Sequence, residues 1–387
     1  MQRWIPTLPL VLLVAVLTTV VYYRGPLKSK SAVEARLLVS DILATADTVG
    51  FARVTEPRTF VFPKDLGPHP DFKTEWWYVT GNLMTSGGRQ FGFQLTFFRS
   101  AVTPEKRQGR SAWHANQIYM AHFAISDIAN QGFHYFERLS RGAVGLAGAE
   151  TSPFRVWLDD WSLRAVGDTV ARQLPELHLR AEEAEVALSL RMVSMKRPVL
   201  QGKDGLSQKG PEIGNASYYY SLSRLRSDGE IRIGDALFPV TGWAWLDREW
   251  STSALGPQQV GWDWFALQLA DSTEIMFYQI RDAQGQPGPY SGGVLIDASG
   301  KKIGLHGNDI DLVVLDWWKS PRGGTYPAKW RLRIPMLGFD LDISPQLDDQ
   351  ELDLSLRYWE GAVEVKGRSA RGSAVGQGYA ELTGYAQ

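Results

Sequence analysis

The chain reads as an all-β protein: two tandem antiparallel β-barrel domains preceded by an N-terminal membrane helix. Three observations lead there. Aromatic residues make up 12% of the sequence, with 15 Trp, and 38 Gly and 20 Pro punctuate it. That composition suits sandwiches and barrels better than helix bundles. From Trp76 onward, short alternating runs separated by turn residues replace any helical period. Finally, about 360 residues follow the N-terminal apolar run, more than a single core usually serves, so two domains are expected.

Met1-Gln-Arg3 is a short basic lead, residues 4–23 are uncharged and apolar, and Arg24 follows. A run of about 20 such residues can span a bilayer as a helix. A cleaved signal peptide has the same order, so residues 1–24 read as a signal anchor or a signal peptide. No small-x-small pair precedes Arg24, which favours the uncleaved anchor. Basic residues flank both sides, so charge does not fix orientation. The N-terminal position of the run places the body on the extracytoplasmic, periplasmic face. Residues 25–50 then form a stalk, with one short helix over 31–48 marked by Val33, Leu37, Leu38 and Ile42.

Residues 51–63 are extended and end in the breaker-rich Pro63-Lys-Asp-Leu-Gly-Pro-His-Pro70. Residues 76–85 and 90–99 flank Ser86-Gly-Gly88 as a hairpin. Strands are further expected over 117–126, 154–159, 162–166 and 186–195. The Gly-, Lys- and Pro-rich stretch 202–215 reads as a boundary, giving domains over 51–214 and 215–387. The second holds strands over 216–226, 236–245, 263–269, 274–281, 292–296, 330–334, 337–343, 361–365 and 376–382. Closing each set into a barrel removes exposed sheet edges.

Composition excludes several classes of function. A formal net charge of −1 leaves no nucleic-acid footprint. With no cysteine there is no disulfide, thiol nucleophile or zinc–thiolate site. P-loop, nucleophile-elbow and H-E-x-x-H motifs are all missing. The six histidines never take a tight ligand spacing, so neither metal nor cofactor is expected. His69, between two prolines, reads as a hydrogen-bonded loop residue. His122 reads as a satisfied core histidine or as the lining of a cavity.

The most informative segment is Thr241-Gly-Trp-Ala-Trp-Leu-Asp-Arg-Glu-Trp-Ser251. As a strand it places Trp243, Trp245, Asp247 and Glu249 on one face and Ala244, Leu246, Arg248 and Trp250 on the other. Ionised carboxylates beside indoles are costly unless paired or protonated. The segment is therefore either a pocket site or a barrel rim tied by ion pairs. Thr74-Glu-Trp-Trp-Tyr78 repeats the theme, with Glu75 and Trp77 on one face and Trp76 and Tyr78 on the other. There Glu75 could equally tie a strand end to an arginine or an amide. Glu360 and Glu381 stand in similar aromatic settings near the C-terminus. Because such strands cannot leave large indole surfaces in water, the two domains are expected to meet across an aromatic interface. Trp76 or Trp77, and one of Trp243, Trp245 and Trp250, should lie in it.

These same motifs carry a family resemblance. His69-Pro-Asp-Phe-Lys-Thr-Glu-Trp-Trp-Tyr-Val-Thr-Gly-Asn-Leu83, the 241–251 segment and Tyr358-Trp-Glu-Gly-Ala362 followed by Gly378-Tyr-Ala-Glu-Leu-Thr-Gly-Tyr385 resemble the AttH/CrtC-like family of lipocalin-type proteins. So do Phe91-Gly-Phe-Gln-Leu-Thr-Phe-Phe98, Tyr119-Met-Ala-His-Phe123, Tyr218-Tyr-Tyr-Ser221 and Gly261-Trp-Asp-Trp-Phe265. Leu66 departs from the pattern, in which a second histidine often precedes Gly-Pro-His. The resemblance implies two lipocalin-like barrels. It implies a mixed function, since some members hydrate isolated double bonds of carotenoids or isoflavonoids and some fungal relatives look like pericyclases. AttH-type members commonly occur with ABC-transporter components.

Two functional expectations follow. The first is an extracytoplasmic protein that binds a hydrophobic or lipid-like molecule, working with an ABC-transporter permease, with Glu75, Trp77, His122, Trp243 and Trp245 as ligand-binding residues. The second is a carotenoid 1,2-hydratase-like hydro-lyase. In it Asp247, desolvated by Trp243 and Trp245, donates a proton, the indoles stabilise a cation, and Glu249 orients water. The hydratases tend to carry Tyr where Trp245 stands.

Overall fold

The computed structural model describes residues 48–386 except 106–114, 168–173, 254 and 257. The expected membrane segment, and all but the last residue of the helix expected over 31–48, lie outside the described residues. The described residues are strands joined by turns and four short 3₁₀ helices.

The first sheet has thirteen strands: β1 (Thr74–Met84), β2 (Gln90–Ala101), β3 (Gln117–Asp127), β4 (Gly132–Arg141), β5 (Ala147–Thr151), β6 (Phe154–Leu158), β7 (Trp161–Val166), β8 (Glu176–Glu183), β9 (Val186–Ser194), β10 (Val199–Leu200), β11 (Leu206–Gln208), β12 (Ala216–Ile233) and β13 (Ala236–Ser251). Its order is β4-β3-β2-β1-β13-β12-β9-β8-β7-β6-β5, with β10 and β11 also on β12. The second has ten: β14 (Gln259–Leu269), β15 (Glu274–Asp282), β16 (Gly292–Ile296), β17 (Lys302–His306), β18 (Asp311–Lys319), β19 (Thr325–Ile334), β20 (Phe339–Pro345), β21 (Glu351–Asp353), β22 (Arg357–Ser369) and β23 (Gly372–Leu382). It runs β17-β16-β15-β14-β23-β22-β20-β19-β18, with β21 on β22. Both sheets are antiparallel and curl into near-closed barrels, each around its own apolar core.

The expected domain boundary at residue 214 is corrected by this pairing. Strands β12 and β13, expected to open the second domain, belong to the first sheet, and β13 pairs with the whole length of β1 through residues 241–251. The chain changes sheets between Ser251 and Gln259. The stretch 202–215 lies within the first sheet and contributes the short strand β11 to it, despite its linker-like composition.

Alternation sorts the side chains into two kinds of burial. Trp77, Val79, Phe93, Phe97, Leu246 and Trp250 point into the first core. Phe265, Phe277, Trp359 and Val363 point into the second. The opposite faces of the same strands meet between the sheets. Tyr78, Tyr219 and Trp245 pack there on Trp264, Met276 and Tyr379, with Trp76 and Trp262 at the edge. The expected aromatic interface therefore exists, with Trp76 and Trp245 in it and Trp77 and Trp250 behind it.

Polar links cross the interface. Asn82 Nδ2 donates to Gly378 O at 2.9 Å, and Gln268 Nε2 donates to Ser223 O at 2.7 Å and Ala244 O at 3.0 Å. At Leu222–Leu225 a bulge in β12 presents Arg224 to Glu274 of β15, which also pairs with Lys196 at 2.7 Å. Gly92 lets the sheets approach closely, since a Cβ there would stand 2.6 Å from that of Ala362. Removing one member of a buried ion cluster leaves the others uncompensated. Glu274→Gln is therefore expected to lower the unfolding free energy by about 3–5 kcal/mol, read by urea denaturation. The wild-type chain should unfold in one calorimetric transition; two resolved transitions would show that the sheets do not depend on each other.

Candidate functional site

A cavity of about 210 Å³ opens between the two sheets. Trp76, Tyr78, Phe98 and Met120 wall it from the first sheet, and Trp262, Trp264, Tyr278 and Tyr358 from the second. Ile118 and Leu139 form an apolar lip, and Leu139 is 68% exposed. Asp247, Glu249, Glu381 and Lys209 bring charge to this aromatic enclosure.

Asp247 sits on β13 opposite Tyr78 of β1 and Ser221 of β12. Its Oδ1 accepts from Ser221 Oγ at 2.5 Å and Trp245 Nε1 at 2.6 Å. Oδ2 accepts from Tyr219 Oη at 2.5 Å, and that hydroxyl accepts from Trp264 Nε1 at 3.2 Å. Burial dominates its ionisation and pushes the carboxyl up to about 7, with the Glu249 charge adding to the rise and the three donors opposing it. Among the described residues, no arginine pairs with it.

Two residues along the same face, Glu249 accepts from Ser217 Oγ and pairs with Lys209 Nζ at 3.1 Å. Lys209 also lies 4.6 Å from the Tyr278 ring centroid. Burial alone would lower its pKa, but the Glu249 carboxylate outweighs it and holds the ammonium above its usual range.

Glu381 on β23 and Glu360 on β22 are direct cross-strand partners. Glu381 accepts from Trp262 Nε1 at 2.9 Å. Burial first, then the charges of Asp247 and Glu249, push it up to about 8. Glu360 is fully buried, and burial together with Glu381 pushes it far above the carboxylate range. No donor reaches either of its oxygens in good hydrogen-bond geometry, although the Tyr78 and Tyr358 hydroxyls are its polar neighbours.

Glu75 is the opposite case. Although its residue borders the cavity, its carboxylate has no exposed area and is held by Arg99 and by Arg248 at 2.9 Å. Both oxygens also accept from the His69 amide at 3.1 Å. Burial would raise its pKa, but Arg99, His69 and Arg248 together hold it well below the usual carboxylate range. Its tie to arginine is thus architectural.

The remaining sequence candidates divide. Trp245 joins the site through Asp247 and packs edge-to-face on Trp264. His122 stands one contact away, with Nδ1 2.7 Å from Tyr358 Oη and Nε2 3.0 Å from Glu137. Trp77 lies in the first core under Arg248 and donates to Leu66 O at 2.8 Å. Trp243 is stacked by Arg224 further along β13 and does not line the cavity. Of the two indoles expected to desolvate Asp247, only Trp245 touches it. Lys209 and the convergence of Glu360 and Glu381 on this site were not anticipated. Among the described residues, no three His, Asp or Glu side chains are grouped as a metal site.

The fold and this cavity define a lipocalin-like protein of two near-closed barrels with an acid-lined aromatic pocket between them. The chain belongs to the AttH-like family, whose model matches residues 53–385. An AttH protein from Nitrosomonas europaea, solved by crystallography, is 36% identical with a TM-score of 0.76, over 87% of this chain and all of that one. Kievitone hydratase from Nectria haematococca shares the fold at 15% identity and a TM-score of 0.64, over 87% of this chain and 98% of the hydratase. CghA, crystallised with Sch210972, does so at 13% identity and 0.54, over 91% and 98%. No curated protein sequence matches the chain.

The raised carboxyls give stability a defined pH dependence. Unfolded, Asp247 and Glu381 lose their protons near 3.8 and 4.5; folded, they keep them to about 7 and 8. Between those limits the folded chain binds more protons, so stability falls as pH rises from about 4 to 8. Each group contributes about 1.4 kcal/mol per pH unit in which it is ionised only in the unfolded chain. Urea melts of Asp247→Asn and Glu381→Gln at pH 5 to 8 should show a flatter decline than wild type. An unchanged slope would mean that these groups ionise normally.

Proposed function

We propose that the protein binds an apolar, lipid-like small molecule in the cavity between its two sheets. The carrying observation is the cavity itself, with aromatic walls, an apolar lip and a few convergent polar groups, the usual make-up of a small-molecule site. The N-terminal apolar run supports a location on the extracytoplasmic face. The family supports work alongside an ABC-transporter permease.

Asp247 favours a second reading, hydration of an isolated double bond. A carboxyl with a pKa of about 7 is half protonated at neutral pH and acidic enough to donate. Its proton would pass to one alkene carbon, and the Trp264 and Tyr219 faces would stabilise the cation formed on the other. Water positioned by Glu249 would add to that cation, and its released proton would restore Asp247. A hydratase shares this fold.

Solvent extraction and mass spectrometry of purified protein test the binding reading. The same apolar compound should be recovered from repeated preparations, and roughly tenfold less from Trp262→Ala if losing that wall forfeits about 1.4 kcal/mol. A consistently empty extract counts against it. Hydration is tested with an acyclic carotenoid: turnover by wild type that disappears in folded Asp247→Asn supports it, and equal turnover by the variant removes Asp247 from the role.

A further inference from the structure

Resting on the reading of the cavity as a small-molecule site, we infer that its ligand is an amphiphilic cation, an apolar chain bearing an ammonium group that docks among the aromatic rings and the Glu360–Glu381 pair. Three indole N–H groups beside the cavity are engaged, Trp245 on Asp247, Trp262 on Glu381 and Trp264 on Tyr219. Ser217 and Lys209 serve Glu249, and Ser221 serves Asp247. A carboxylate entering here meets Asp247, Glu249 and Glu381, with most of the donors beside them already committed to those acids.

Acceptor capacity is in surplus. Neither oxygen of fully buried Glu360, the cross-strand partner of Glu381, has a donor in good geometry among the described residues. Among the described residues Asp247, Glu249 and Glu381 line the cavity with Glu360 beside Glu381; of the lining cations, Lys209 pairs with Glu249 and Arg99 is taken by Glu75. Rings crowd the same space, and their faces attract a cation most strongly where water is excluded. Without a ligand, protons on the carboxyls keep the pocket close to neutral. An ammonium ion replaces such a proton: the carboxylic O–H of Glu381 ionises, the proton leaves to solvent, and charge balance is kept. Binding therefore tightens with pH up to about 8. The neighbours that face this pair are Asp247 and Glu249 on β13, Lys209 before β12, Tyr78 on β1 and Tyr358 on β22, with His122 on β3 behind Tyr358.

Titration calorimetry on the full chain with octylammonium, octanol and octanoate tests this, because the primary alkylammonium carries N–H donors and stays protonated from pH 6 to 8. The ammonium should bind at least tenfold more tightly than octanol and octanoate at pH 8. It should weaken roughly tenfold from pH 7 to pH 6 and release a proton, seen as a heat that depends on the buffer. Glu381→Gln, and separately Glu360→Gln, should lose the ammonium preference while still binding octanol, which shows that they fold. Octanol or octanoate binding as tightly as the ammonium overturns the inference and leaves the apolar-ligand reading standing. No binding by any of the three removes both.

Discussion

The structure depends on burying both faces of the same strands. Strands β1, β12 and β13 of the first sheet, and β14, β22 and β23 of the second, each give one face to a barrel core and the other to the inter-sheet layer. The core faces follow ordinary hydrophobic logic. The inter-sheet layer is aromatic and polar, and burying carboxyls there is costly unless something compensates them. Which acids are compensated decides the character of each region.

Where an arginine is within reach, the acid becomes part of the frame. Glu75 is clamped by Arg99 and Arg248, and Glu274 by Arg224 and Lys196. Among the described residues Asp247, Glu360 and Glu381 have no such partner and rely on neutral donors or on a proton. This division separates framework from site more cleanly than position in the sequence does. Glu75 and Trp245-Leu-Asp247 look alike as strings, yet alternation turns Glu75 toward the first core and Asp247 toward the second sheet. The rigidity of the frame is what can hold uncompensated acids in place, since a loose interface would admit water and counter-ions.

Much of this was legible in the sequence, because alternation is local. The all-β class, most of the strands, and the two faces of the 241–251 segment follow from residue spacing alone. The family follows from long aromatic motifs in a fixed order. The position of the sheet change was not legible, because barrel closure pairs β1 with β13 across more than half of the first sheet's sequence, and no local pattern reports that pairing. The Gly-rich stretch 202–215 looked like a linker, which hid Lys209, the amine that pairs with Glu249 in the site. Glu360 and Glu381 were visible as acids among aromatics, but their meeting with Asp247 is a property of two sheets packed together. His122, bonded to Tyr358 and Glu137, is the satisfied buried histidine that its strand pattern allowed.

The central claim is that Asp247 and Glu381 of the cavity titrate well above the ordinary carboxylate range while Glu75, clamped by arginines, titrates well below it. An NMR titration of the protein labelled with ¹³C at the Asp and Glu carboxyls, assigned with Asp247→Asn, Glu381→Gln and Glu75→Gln, measures this directly. The expected result is that the Asp247 and Glu381 signals titrate near 7 and 8 and that Glu75 remains ionised to the acid limit of folding. A spectrum in which all three carboxyls titrate together below about pH 5, as free side chains do, would contradict the account.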